Sequence, residues 1–114
     1  MSASTEATIN RLVAEYSELA PILDESLEDN EGELLPHLVL ADVVRWLAEH
    51  VESDGDTCRS ILDWLEREYE RGPEDVRGLI TVSGVEMIPD PGQPGSALRG
   101  WLGPALRGVD PWPR

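Results

Sequence analysis

The chain has no lysine, no phenylalanine and a single cysteine, and its fully charged cationic side chains are nine arginines set against 23 acids. Cys58 alone cannot form a disulfide within the chain, which is typical of a protein from a reducing compartment. The N-terminal segment MSASTEATINR has neither the basic nor the apolar region of a signal peptide. No apolar run approaches the ~20 residues that span a bilayer. We therefore expect a cytoplasmic protein with no membrane partner.

The shortage of positive charge is uneven along the chain. Residues 1–56 carry 14 acids and two arginines, a net of −12, whereas residues 57–114 carry nine acids and seven arginines, a net of −2. A total of −14 opposes binding to DNA, RNA or anionic lipid, because these partners are polyanions. The same charge attracts and steers a basic protein, above all toward the first half. Charge alone is equally compatible with a role in solubility.

Helical periodicity dominates the chain, and no segment alternates in the period-two manner of a half-buried strand. Apolar steps of three and four residues predict helices over about 5–19, 21–30, 36–52 and 57–71, another that begins at Pro73 and reaches Met87, and a last short one that Gly103-Pro104 splits. The segment 36–52 is apolar over most of its width, which favours a central position. The prediction is an all-α protein with one compact domain, residues 1–108, of about five to six helices in antiparallel pairs around helix 36–52. Residues 109–114, which include Trp112, form an irregular proline-rich tail.

The most acidic stretch is DESLEDNEGE, residues 24–33, with six acids and no basic residue. Its first acids favour the dipole of the predicted second helix, whereas Glu28 and Asp29, near the end of that helix, oppose it by a few tenths of a kcal/mol. Acids kept against this preference indicate a binding role or a solvated loop. A second acidic group follows at the end of the central helix. The acids of the two groups that we predict to bind a partner are Asp24, Glu25, Glu28, Asp29, Glu31, Glu33, Glu49, Glu52, Asp54 and Asp56.

Residue spacing gives no support for metal binding or catalysis. His37 and His50 are 13 residues apart, whereas chelation from one helix needs a spacing of three or four. If Gly32 is taken as the glycine of a calcium-binding loop, the first ligand position falls on Leu27, which cannot bind the ion. The chain has no G-x-S-x-G turn and no glycine-rich phosphate loop. We predict no metal, no cofactor and no catalytic residue.

A family resemblance rests on three segments in a fixed order. They are Leu35-Pro36-His37 followed by Asp42 and Arg45-Trp46, then LDWLEREYERGPEDVRGLITVS over 62–83, and LGPAL over 102–106. Together they resemble an uncharacterised family of short bacterial helical proteins, over most of residues 24–106. Such proteins look like the small acidic partners of bacterial toxin–immunity systems. The residues to which we assign structural roles in this motif are Pro36, His37, Asp42, Arg45, Trp46 and Glu86.

Four of these motif positions carry specific expectations. His37, at the start of the central helix, is expected to pack or hydrogen-bond so that it fixes the entering loop. Asp42 and Arg45, three residues apart, can form an ion pair on the helix surface. Glu86 lies among apolar residues and is expected to be partly buried and paired with an arginine such as Arg77 or Arg99. The family pattern has bulkier residues immediately before this glutamate, so the packing around it is expected to differ here.

Two functional hypotheses follow from the sequence. The first is a non-enzymatic binding protein of the immunity type, which neutralises a basic toxin domain through its acidic surface. The second is a helical adaptor that binds a peptide or helix in an apolar groove, with an exposed face around Trp101 or Trp112. Strong salt dependence of binding favours the first hypothesis and weak salt dependence the second. The oligomeric state has no signal in the sequence.

Overall fold

Helices form the regular structure of residues 3–112, the part of the chain that the computed structural model describes. The α-helices are α1 (Ala3–Glu15), α2 (Ala20–Asp29), α3 (Pro36–His50), α4 (Gly55–Arg71), α5 (Glu74–Ser83) and α6 (Pro104–Arg107), with 3₁₀ turns at Ser17–Leu19, Val85–Met87 and Ser96–Trp101. No strand occurs between residues 3 and 112, so the predicted all-α class is confirmed. The outer ends of the predicted domain and tail, residues 1–2 and 113–114, lie outside the described range.

Local sequence signals account for the ends of α2 and α3. Pro21 and Pro36 stand in the first turns of these helices, where a missing backbone N–H costs nothing. Asn30 closes α2, because both its backbone N–H and its side-chain amide donate to the Ser26 carbonyl, at 3.1 and 2.7 Å. Gly32 follows with φ +83° and donates to the Leu27 carbonyl at 2.7 Å. Helix α2 thus ends within the acidic stretch through Asn30 and Gly32, and its last turn contains no basic residue.

Helix α3 lies at the centre of the fold, as its wide apolar face predicts. It packs against α1, α2, α4 and α5, and α5 in turn contacts α1 and α4. The fully buried side chains of α3 are Val39, Leu40, Val43 and Leu47. The Cα radius of gyration is 13.2 Å, close to the roughly 13 Å expected for a compact domain of this length. No helix within residues 3–112 is both long enough and apolar enough to cross a membrane.

Helix α5 ends at Ser83 and does not continue to Met87 as the periodicity predicts. The chain turns at Gly84, where a Cβ atom would lie 2.3 Å from the Ile80 carbonyl oxygen. This close approach of the backbone to the preceding turn is open only to glycine. A 3₁₀ turn follows, in which Val85 is buried and Met87 is 48% exposed. Periodicity alone could not reveal this break, because it depends on how closely two stretches of backbone approach.

A buried arginine holds the proline-rich loop and the C-terminal tail on the domain. The Arg99 side chain donates to the carbonyl oxygens of Ile88 at 2.7 Å and Pro89 at 3.1 Å, and it forms an ion pair of 2.5 Å with Asp110. The two charged side chains are only 8% and 2% exposed. Residues 109–112 of the tail contain no helix, and Val109 and Asp110 are packed against the domain. Trp112 is 42% exposed.

Cys58 is expected to be unreactive in the folded protein. Its side chain is fully buried and its Sγ donates to the Leu47 carbonyl at 3.6 Å. Burial, with a smaller contribution from the charge of Asp54, raises the pKa of the Cys58 thiol from 9.0 to about 11. Alkylation by iodoacetamide should therefore be slow at pH 8, and fast in the same buffer once urea unfolds the chain. Because the folded pKa is the higher one, the free energy of unfolding should fall as pH rises from about 9 to about 11. Equal alkylation rates in the folded and unfolded protein would contradict this picture.

Candidate functional site

Helices α2 and α3 enclose an open groove of about 430 Å³, hereafter the α2–α3 groove. Its apolar lining comes from Ile22 on α2 and from Leu38 and Trp46 on α3. Leu38 is 44% exposed and Trp46 is half-buried. An exposed leucine and a partly exposed tryptophan in one groove provide a contact surface of the kind found at protein interfaces.

Four carboxylates surround this apolar surface. Glu25 and Asp29 lie one turn apart on α2, and Asp42 and Glu49 lie on α3. The spacing of four residues places the α2 pair on one helix face. The structure thus brings part of the acidic stretch and part of the second acidic group to one groove. The sequence could not predict this proximity, because it depends on how α2 packs on α3.

A second hollow, of about 650 Å³, continues the surface beyond the end of the α2–α3 groove. The two hollows share Arg45 and Glu49, so they form one face along α3. The second hollow adds Glu52 from the acidic residues predicted to bind a partner. Its other wall is the proline-rich loop, including Pro89 and Pro94.

The remaining predicted acids do not line either hollow. Most are exposed, and Asp54 is half-buried in the turn before α4. Glu31 adopts a left-handed conformation with φ 56°, which places it in the tight turn that follows α2. The acids outside the two hollows are Asp24, Glu28, Glu31, Glu33, Asp54 and Asp56. They add to the negative electrostatic field around the groove but do not form part of its lining.

Arg45 is the one basic side chain among the residues that line the two hollows. Its guanidinium pairs with Asp42 at 2.9 Å, as the spacing of three predicts, and the arginine side chain is 68% exposed. Such an exposed pair contributes at most about 1 kcal/mol. On the same helix the Trp46 and His50 rings stack with centroids 4.1 Å apart, and His50 Nδ1 donates to the Trp46 carbonyl at 2.8 Å. His50 thereby fixes the indole that lines the groove.

Ser26 is the buried polar residue of the groove lining. Its residue surface is 5% exposed, and its Oγ has no hydrogen-bond partner within residues 3–112. Ser26 lines the α2 side of the groove together with Glu25 and Asp29. A buried hydroxyl without a partner costs about 1–3 kcal/mol. A serine within a helix carries no signal of its burial, so the sequence does not predict this residue.

The structure gives His37 a hydrogen bond across to α5 and places Glu86 at the surface, not in the partly buried position expected for it. His37 Nδ1 and Ser83 Oγ share a hydrogen bond of 2.6 Å, which ties the first turn of α3 to the end of α5. Glu86 is exposed, and its predicted arginines are engaged elsewhere. Arg99 pairs with Asp110, and Arg77 donates to the Tyr69 and Glu70 carbonyls at 3.1 and 3.4 Å. The expectation failed because the 3₁₀ turn after Gly84 directs Glu86 to solvent.

Two buried acids, Glu66 and Glu68, have structural roles that the sequence does not predict. Glu66 accepts hydrogen bonds from the backbone N–H groups of Ala105 at 2.8 Å and Leu106 at 3.0 Å. Glu68 forms ion pairs with Arg11 at 2.6 Å and Arg71 at 3.4 Å. The position of Glu66 one turn after the buried Leu62 was an available signal of burial. Its partners lie about forty residues further along the chain, so no local pattern indicates them.

Metal-ligating side chains do not converge in the described structure. Among residues 3–112, no three His, Cys, Asp or Glu side chains lie close enough to hold one ion.

These features define a small all-α domain with an acidic groove on its central helix. A family model described as "Domain of unknown function (DUF7674)" matches residues 9–109, and the chain belongs to that family. The match confirms the expected membership of an uncharacterised family. No curated protein and no solved structure matches the chain.

Proposed function

We propose that the protein is a non-enzymatic binding domain that takes up a basic protein partner in the α2–α3 groove. The observation that carries the proposal is the arrangement of four carboxylates, on two helices, around an apolar surface that includes Leu38 and Trp46. Charge at the rim speeds association and selects a partner of opposite sign, while apolar contacts at the centre slow dissociation. The net charge of −14 extends the attraction beyond the groove.

An immunity-type inhibitor is the form of this function that best fits the charge. A toxin that acts on nucleic acid carries a positive groove for phosphates, and an acidic protein that fills this groove blocks it. The partner is then expected to be toxic when it is expressed alone. Co-expression with this protein should restore growth. Toxicity that co-expression leaves unchanged would exclude the inhibitor form while leaving the binding function intact.

The first experiment is capture of the partner from lysate of the source cell with the tagged protein, followed by association kinetics on the purified pair. Reversing three groove carboxylates in the triple variant Glu25→Lys, Asp29→Lys, Glu49→Lys should lower the association rate about ten- to a thousandfold at low salt. Glu25, Asp29 and Glu49 are exposed on helices, so the variant should remain folded. Circular dichroism verifies the fold before binding is measured.

A matched control uses acids outside the groove. The triple variant Glu18→Lys, Asp63→Lys, Glu70→Lys makes the same change in net charge with two glutamates and one aspartate, all exposed. Its association rate should fall much less than that of the groove variant, because only the general field is altered. If the two triple variants slow association equally, the groove is not the binding site.

The adaptor remains a second candidate because of the exposed Leu38. An adaptor would bind an apolar peptide or helix in the same groove, mainly through Leu38, Ile22 and Trp46. Affinity would then change little between low and high salt. Leu38→Ala would weaken such binding more than the triple charge reversal does, and the opposite ranking favours the acidic binding function.

A further inference from the structure

The lining of the α2–α3 groove offers a specific set of chemical groups. Three carboxylates, those of Glu25, Asp29 and Glu49, take part in none of the ion pairs described within residues 3–112. The fourth, Asp42, is paired with Arg45. Three carboxylates of the groove can therefore form ion pairs with a positively charged ligand.

The Ser26 hydroxyl adds a second, independent observation. It is the buried side-chain oxygen without a hydrogen-bond partner in the described structure, and its residue lines the groove on α2, as Glu25 and Asp29 do. The Ser26 carbonyl is already used by Asn30 through two hydrogen bonds. A ligand N–H that reaches the hydroxyl gains a bond at a group that is otherwise left desolvated. A ligand with several N–H donors can therefore bind the groove carboxylates and the Ser26 hydroxyl at the same time.

Trp46 adds an aromatic wall to the groove, and two other indoles of this lysine-free chain lie beneath arginine guanidinium groups. Arg59 lies over the Trp101 ring at 4.2 Å and Arg11 over the Trp64 ring at 5.8 Å. Guanidinium is planar, weakly hydrated and able to stack on an indole, and it carries five N–H donors in a fixed geometry. An ammonium group is compact and strongly hydrated, so it gains less from an aromatic and partly apolar site.

We propose that the α2–α3 groove is a binding site for the guanidinium group of an arginine side chain supplied by the partner. The inference rests on the proposed function and names the chemistry that the groove recognises. The guanidinium contacts the carboxylates of Glu25 and Asp29, packs beside Trp46 and donates toward Ser26. Arg45, next to Trp46 on α3, pairs with Asp42, so the Glu25 and Asp29 carboxylates remain for the partner's guanidinium.

The test is a titration of the full ¹⁵N-labelled chain, followed by NMR, with N-acetyl-arginine N-methylamide. The lysine analogue is titrated in parallel at the same ionic strength, because it has the same charge. The arginine probe should shift the Trp46 indole N–H and the Ser26 and Asp29 amide signals, and it should bind roughly three- to tenfold more tightly than the lysine probe. Equal affinities, or shifts spread over the whole acidic surface, would overturn the arginine site.

Two double variants on α2 locate the site. Glu25→Gln with Asp29→Asn removes two charges from the groove, and Asp24→Asn with Glu28→Gln removes the same two charges from the same helix outside it. The groove pair should weaken the arginine probe at least about fivefold, and the control pair less than about twofold, because exposed charges are screened over short distances. Similar losses in both variants would overturn the proposal.

The outcomes separate this inference from the proposed function. If the partner of the capture experiment binds through the groove but its arginines can be replaced by lysine without loss, the arginine site is wrong and the binding function stands. If the probe binds the groove but charge reversal leaves the captured partner's association unchanged, the proposed function is wrong at this site.

Discussion

Replacing Asp110 with alanine is expected to lower the free energy of unfolding by about 3–5 kcal/mol. Asp110 and Arg99 form a buried ion pair, with side chains 2% and 8% exposed. Removing the carboxylate leaves the guanidinium buried without its counter-charge, which costs more than the loss of a surface pair. Arg99 also holds the Ile88 and Pro89 carbonyls, so the loss should loosen the proline-rich loop as well as the tail. Urea unfolding measures the effect, provided that the slope of the free energy of unfolding against urea concentration is the same in the variants compared.

Asp90→Ala provides the control for this prediction. Asp90 lies in the proline-rich loop and is exposed. Its replacement by alanine removes the same charge and the same atoms as Asp110→Ala. Its replacement should change stability by less than about 0.5 kcal/mol. A small, equal loss for Asp110→Ala and Asp90→Ala would show that the buried pair adds nothing to stability. Because the loop borders the second hollow of the acidic face, a loosened loop is also expected to alter partner binding there.

The parts of this fold that the sequence predicts well depend on local chemistry. Pro21 and Pro36 set the starts of α2 and α3, and Asn30 and Gly32 end α2, all within one turn of the residues they affect. The central position of α3 follows from the width of its apolar face. Each of these signals is complete within a window of about ten residues, so spacing alone is enough to detect it.

The parts that the sequence does not predict depend on contacts between distant segments. Arg99 was a candidate partner for Glu86, which is thirteen positions away, and its actual partner Asp110 is eleven positions away in the opposite direction. Neither separation is the three or four residues at which side chains touch within one helix, so periodicity could not choose between them. The break at Gly84 decided the outcome, because it turned Glu86 outward.

The acidic groove shows the same division between local and distant information. The position of Glu25 and Asp29 on one helix face follows from their spacing of four. Their meeting with Glu49 follows from the packing of α2 on α3, which no local pattern encodes. The acidic stretch thus contributes two of its six carboxylates to the groove, and the other four remain as a surrounding field.

Glu66→Ala is expected to lower the free energy of unfolding by about 3 kcal/mol, since hydrogen bonds to a charged group contribute about 1.5–3 kcal/mol each. The Glu66 carboxylate accepts from both Ala105 and Leu106 at the start of α6, a helix with no capping side chain of its own. Without it, the part-buried N–H of Ala105 and the buried N–H of Leu106 lose their acceptor. Glu70→Ala, one turn further along α4 and exposed, is the control and should be nearly neutral. Urea unfolding measures stability, and hydrogen exchange at the Ala105 and Leu106 amides reports the cap directly.

Gly103→Ala tests the same cap from the other side. A Cβ atom at Gly103 would lie 2.6 Å from Glu66 Cδ, while the backbone there has φ −76°, which any residue adopts. The substitution should therefore destabilise the protein only by displacing the carboxylate. In the Glu66→Ala background this cause is absent, so Gly103→Ala should then cost much less than it does alone. Additive losses in the double-mutant cycle would mean that Gly103 is required for a different reason and that the carboxylate is not what fixes the start of α6.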